Sequence, residues 1–93
     1  LQYQRQGISI TAAATITPGN GNYFVVAGNT NITSVTANAR DKGRIIVLHF
    51  SGTPTFTDGS NLILAGNLVA SADDTITLVC DGTNWIEIAR SVN

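Results

Sequence analysis

At 93 residues the chain has room for one domain and no second core. Charged residues make up only 12%, about half the usual share of about 25%, and Thr, Ser and Asn stand in their place. A net charge of -1 removes the electrostatic case for a nucleic-acid partner. No window approaches about 18 consecutive apolar residues, so no segment reads as a membrane insertion.

The opening run Leu1-Gln2-Tyr3-Gln4-Arg5-Gln6 is extended and polar, and the chain contains no Met. Residues 1–7 therefore read as a lead-in from an upstream region of a longer polypeptide, and 1–93 as a single β domain. From Ile8 to Thr17 the alternation is nearly strict. Ile8, Ile10, Ala12, Ala14 and Ile16 fall on one face and Ser9, Thr11, Thr15 and Thr17 on the other, which predicts one half-buried strand. Pro18-Gly19-Asn20-Gly21-Asn22 breaks the chain.

Tyr23–Ala27 is a short strand, and Gly28-Asn29 turns the chain into Thr30–Val35. Asn31-Ile32-Thr33 matches the N-glycosylation acceptor, a pattern short enough to arise by chance. Thr36–Gly43 reads as a polar loop with room for one helical turn. Arg40, Lys42 and Arg44 form the one basic cluster, and with Asp41 among them they read as a solvated turn.

Ile45–Phe50 lacks alternation and predicts a central strand buried on both faces. His49, the sole histidine, lies within it without a Ser or Cys partner at recognisable spacing, so a structural or interface role is expected. Two hairpins are expected next, Thr53–Leu64 and Thr75–Ala89, joined by Ala65–Asp74. Asp73-Asp74 lacks calcium-loop spacing and reads as the turn that starts a strand.

One phrase is written twice. Asp58-Gly59-Ser60-Asn61-Leu62-Ile63 returns as Asp81-Gly82-Thr83-Asn84-Trp85-Ile86. Asp-Gly followed by Ser/Thr-Asn is turn chemistry, with Gly supplying positive φ. Two occurrences fall short of the three or so repeats a solenoid needs, so they are assigned to two similar hairpins of a sandwich.

Cys80 is the only cysteine, which excludes an intrachain disulfide, and it alternates with Ile76 and Leu78 as a small buried hydrophobe. Asp81 and Glu87 could be set beside each other as a glycosidase acid pair. Arg90 near Glu87 makes an ion pair the simpler reading. Trp85, the only tryptophan, either anchors a hairpin or stacks on a sugar, and it is the one weak candidate for carbohydrate binding. No catalytic, cofactor-binding or metal-ligating residue is assigned, and the chain is not expected to be an enzyme.

The closing run from Asp73 to Ser91, DDTITLVCDGTNWIEIARS, resembles the C-terminal modules of bacteriophage tail fibre and tailspike proteins. Gly43-Arg44-Ile45-Ile46-Val47-Leu48 and Asn61-Leu62-Ile63-Leu64 fit the same pattern, so the resemblance covers roughly 40–93. It implies a homotrimeric all-β module in a virion tail appendage that supports trimerisation and binds host-surface polysaccharide. It also implies that any depolymerase activity sits on a separate upstream domain of the parent chain. The expectation is thus an all-β, antiparallel, jelly-roll-like β-sandwich whose main partner is itself. The alternative is a monomeric carbohydrate-binding β-sandwich of a secreted bacterial enzyme. Residues 1–39 have no place in the resemblance.

Overall fold

The structure, a computed structural model, describes residues 6–93, so the first five residues of the expected lead-in lie outside it. The described chain is all-β. Its strands are β1 (Ile10–Thr11), β2 (Thr15–Ile16), β3 (Tyr23–Ala27), β4 (Ser34–Val35), β5 (Ile45–Phe50), β6 (Thr55–Phe56), β7 (Leu62–Ile63), β8 (Leu68–Val69), β9 (Thr75–Cys80) and β10 (Trp85–Ser91). A single 3-10 turn, Ala39–Asp41, occupies the polar loop as the sequence allows.

Six strands form one curled sheet in the order β1-β3-β5-β9-β10-β7, and β2-β4 and β6-β8 form two small sheets. β5 is central, as expected. The pairing is mixed, which corrects the expectation of an antiparallel fold throughout. β1–β3, β3–β5, β2–β4 and β7–β10 run parallel, while β5–β9, β9–β10 and β6–β8 run antiparallel. The cause is that the chain repeatedly passes itself in the same direction after a long excursion. Ile10 meets Val26, Phe24 meets Leu48, and Thr15 meets Ser34.

Polar side chains tie these passes together where the backbone ladder is interrupted. Asn29 Oδ1 accepts from the Thr53 N–H at 2.8 Å and Asn31 Oδ1 from the Thr55 N–H at 3.0 Å, each 24 residues on. The Thr15–Ser34 and Thr17–Thr36 hydroxyl pairs, at 2.7 and 2.8 Å, reinforce the intact β2–β4 ladder. The Oδ1 atom of Asn31 in the glycosylation-like triplet is therefore already engaged.

The repeated phrase has a different meaning from the one expected. Leu62 pairs with Trp85 and Ile63 with Ile86, in parallel and at the spacing that separates the two phrases, so they stack as neighbours. Only the second phrase closes a hairpin, β9–β10. The first turns β6 toward β7, but β6 pairs with β8 instead, which corrects the Thr53–Leu64 hairpin. Both phrases do form tight turns with positive φ, +122° at Gly59 and +102° at Gly82. The Asp81 carboxylate accepts the N–H groups of Thr83 and Asn84 at 2.9 and 2.6 Å and holds the second turn.

The expected strand from Ile8 to Thr17 is broken into β1 and β2. Ala12 N–H still bonds back to Ala27, while Ala14 carbonyl turns to accept Thr33 and Ser34 in the other sheet. The alternating face is split accordingly, with Ala12 and Ile16 buried and Ile8 and Ala14 exposed. β5 also differs from expectation. Ile46, Leu48 and Phe50 are fully buried, but Ile45 is exposed and Val47 and His49 are half-buried, so only one face lies in the core.

That core draws Phe24 and Val26 from β3, the inward residues of β5, Ile76, Leu78 and Cys80 from β9, and Trp85 from β10. Against them pack Ile16, Val35, Phe56 and Leu68 from the small sheets and Ile32 beside them. The rings of Phe50 and Phe56 meet at 5.8 Å between centroids. Each fully buried side chain of this size contributes about 1.5–3 kcal/mol. Together they fix which face of the large sheet points outward.

Candidate functional site on the outer face of the sheet

Strand alternation puts every second residue of the large sheet on its outer face. Pairing aligns these residues in rows across the strands. Ile45 lies beside Val79, Val79 beside Ile86, and Ile86 beside Ile63, an aliphatic row across four strands. Ile45 and Ile63 are 46% and 50% exposed, so about half of each terminal isoleucine faces solvent. The next row, Tyr23-Val47-Thr77-Ala89, is mixed. The third, Val25-His49-Thr75-Ser91, is the most polar. The outer face thus grades from aliphatic to polar along the strands.

At its polar end stands a chain of three side chains. Tyr23 Oη lies 2.5 Å from His49 Nδ1, and His49 Nε2 lies 2.9 Å from Asp73 Oδ1. Tyr23 and His49 are half-buried on adjacent strands, and the Asp73 side chain is 77% exposed in the turn before β9. Asp73 is held at φ +72°, with its N–H on Phe50 carbonyl and its own carbonyl accepting from the Asn93 amide. Sequence reasoning placed His49 on the central strand and missed both partners. They are 26 and 24 residues away and meet it only through tertiary pairing.

Trp85, the candidate for sugar stacking, is fully buried, and its indole N–H donates to Thr36 carbonyl at 3.1 Å. It is a core anchor with neither ring face presented to solvent. Cys80 is buried beside Ile76 and Leu78, as its alternation predicts.

Asp81 and Glu87 are each committed to separate partners. The Asp81 carboxyl is lowered from its ordinary value by the N–H groups of Asn84 and Thr83. Glu87 is lowered chiefly by hydrogen bonds from the Arg90 guanidinium, with the Ala65 N–H adding to them. Arg90 is raised in turn by Glu87. Asp74 is a buried carboxylate, lowered by the Asn93 N–H and then by the N–H and hydroxyl of Ser71. Asp73-Asp74 does form the turn that starts β9, as expected.

The basic cluster is not one solvated patch. Arg40 and Lys42 are exposed, but Arg44 is buried, with its guanidinium donating to Gly19 and Gly21 carbonyls and lying 5.9 Å from the Phe24 ring centroid. Its charge serves the loop carbonyls left free by the Pro18–Asn22 break. Among the described residues, no group of three or more His, Cys, Asp and Glu side chains comes together in a way that could hold a metal ion.

No family model matches the chain, and no curated protein and no solved structure matches it.

Proposed function

We propose that the chain is a structural and host-recognition module from the C-terminal end of a bacteriophage tail fibre or tailspike, working as a homotrimer in the virion. The resemblance of residues 40–93 to such modules supports this reading. The observation that carries it structurally is the aliphatic row Ile45-Val79-Ile86-Ile63 on the outer face of the sheet. Such a row on a small, weakly charged domain gains stability when neighbouring subunits cover it. On this reading the domain is a β-sandwich of mixed pairing, with the six-stranded sheet as one layer and the two small sheets as the other. Host-surface polysaccharide would be met by the polar turns, since rigid β scaffolds present recognition groups on loops.

Light scattering or sedimentation at micromolar concentration tests the assembly. The expected mass is three times the 9.7 kDa chain. Ile63→Lys, at a half-exposed position, should lower it to that of one chain without unfolding the domain. A stable monomer of the unmodified chain would sink the trimer and favour the carbohydrate-binding sandwich.

A further inference from the structure

We propose that Tyr23 is a covalent acyl-acceptor site, its phenol activated by His49 and His49 oriented by Asp73. The three groups stand in the order nucleophile, base, orienting carboxylate, with both linking distances within hydrogen-bond reach. An ionised Asp73 can only accept, so the Nε2 proton belongs to the imidazole. In the neutral ring that leaves Nδ1 with its lone pair aimed at the Tyr23 hydroxyl, the tautomer a general base requires.

The setting agrees with a reactive role. The Asp73 backbone lies in the left-handed region, which Asp tolerates in turns, and its carboxylate stands beside His49. Phe50 and Asn93 hold it there. Tyr23 pairs with Val47 and His49 with Thr75 through their backbones whatever the three side chains do, so sheet pairing does not call for this chain. The site is open as well, since His49 and Tyr23 are half-buried and Asp73 is exposed.

The ligand class is an activated acyl group, an aryl ester or thioester. Tyr23 Oη attacks the acyl carbonyl and its proton passes to His49 Nδ1. The tetrahedral adduct expels the phenolate or thiolate, and that leaving group takes the proton from His49. The products are O-acyl-Tyr23 and a free phenol or thiol, and no other reactant is consumed.

The test treats the intact chain with p-nitrophenyl acetate at neutral pH, locates the acetyl group by peptide mass spectrometry, and compares the rate with that of N-acetyltyrosine amide. Acetylation of Tyr23 should be at least tenfold faster than the free reference, and His49→Gln should remove that advantage. Asp73→Asn, in an exposed turn, should lower the rate several-fold while the circular dichroism spectrum is unchanged. Added imidazole should raise labelling of Tyr23 in His49→Ala by more than it raises labelling of N-acetyltyrosine amide, which takes the acetyl group from the N-acetylimidazole formed in solution. Labelling of Tyr23 at the reference rate, a stable acetyl group on His49 instead, equal rates in folded His49→Gln, or failure of both the Asp73→Asn and imidazole arms would each overturn the assignment.

Discussion

Glu87 and Arg90 stand three residues apart in one strand, yet they face the same side of the sheet and form a two-pronged ion pair. Arg90 Nε donates to Glu87 Oε2 at 2.6 Å and Nη2 to Oε1 at 2.7 Å. Regular alternation would put such residues on opposite faces. The register of β10 against β9 shifts between Glu87 and Ala89, and this bulge at Ile88 brings the two charges together. The pair also fastens the connector after β7, because Glu87 accepts from the Ala65 N–H and Arg90 donates to Gly66 carbonyl.

Removing one partner should therefore cost more than a surface ion pair is worth. The Glu87 side chain is only 7% exposed, so Arg90→Ala would leave a sheltered carboxylate with one donor. The expected loss is about 2 kcal/mol by urea denaturation. The double variant with Glu87→Ala should lose less than the sum of the two single variants. Strict additivity would show that the pair contributes nothing.

Acid should weaken the fold through three carboxylates. Asp74, Asp81 and Glu87 are all lowered in the folded chain, by the Asn93 N–H, the Asn84 N–H and Arg90 respectively. A lowered group stabilises fully above its unfolded value, about 4 for Asp and Glu, and loses that contribution as pH falls through the folded value. The Tm should be level from about pH 5 upward as far as these groups are concerned, then decline below about pH 4. Glu87→Gln should flatten part of that decline, and a Tm constant down to pH 2 would contradict it.

Two glycines should respond very differently to alanine. A Cβ at Gly52 would lie 2.2 Å from Gly28 carbonyl oxygen and 2.8 Å from Asn29 Oδ1, where the chain passes itself closely. One at Gly19 would meet nothing within 4 Å. Gly52→Ala should destabilise by about 1–3 kcal/mol and Gly19→Ala by no more than about 0.5 kcal/mol. Equal melting temperatures for the two variants would refute this account of the contact.

The second half of the chain was the more legible. The inward set Ile76, Leu78 and Cys80, the hairpin that follows it, and positive φ at Gly59 and Gly82 all follow from local rules of alternation and turn chemistry. The parallel passes were not legible, because their spacing is uneven. Thr15 meets Ser34 across 19 residues, Asn29 meets Thr53 across 24, and Asn61 meets Val35 across 26. No fixed period results for a repeat search to find. The Tyr23–His49–Asp73 chain was hidden for the same reason, and Trp85 could be placed inside or outside only once Thr36 was seen beside it.

That unevenness sets how such a chain can diverge. Length differences between passes are best taken up at exposed corners such as Arg40, where an added or lost residue leaves the strand registers alone. Within Phe24–Val26 the same change would turn the inward side chains outward against both neighbouring strands. Insertions and deletions are thereby cheapest at the surface, while one inside a central strand would take the inward residues out of the core.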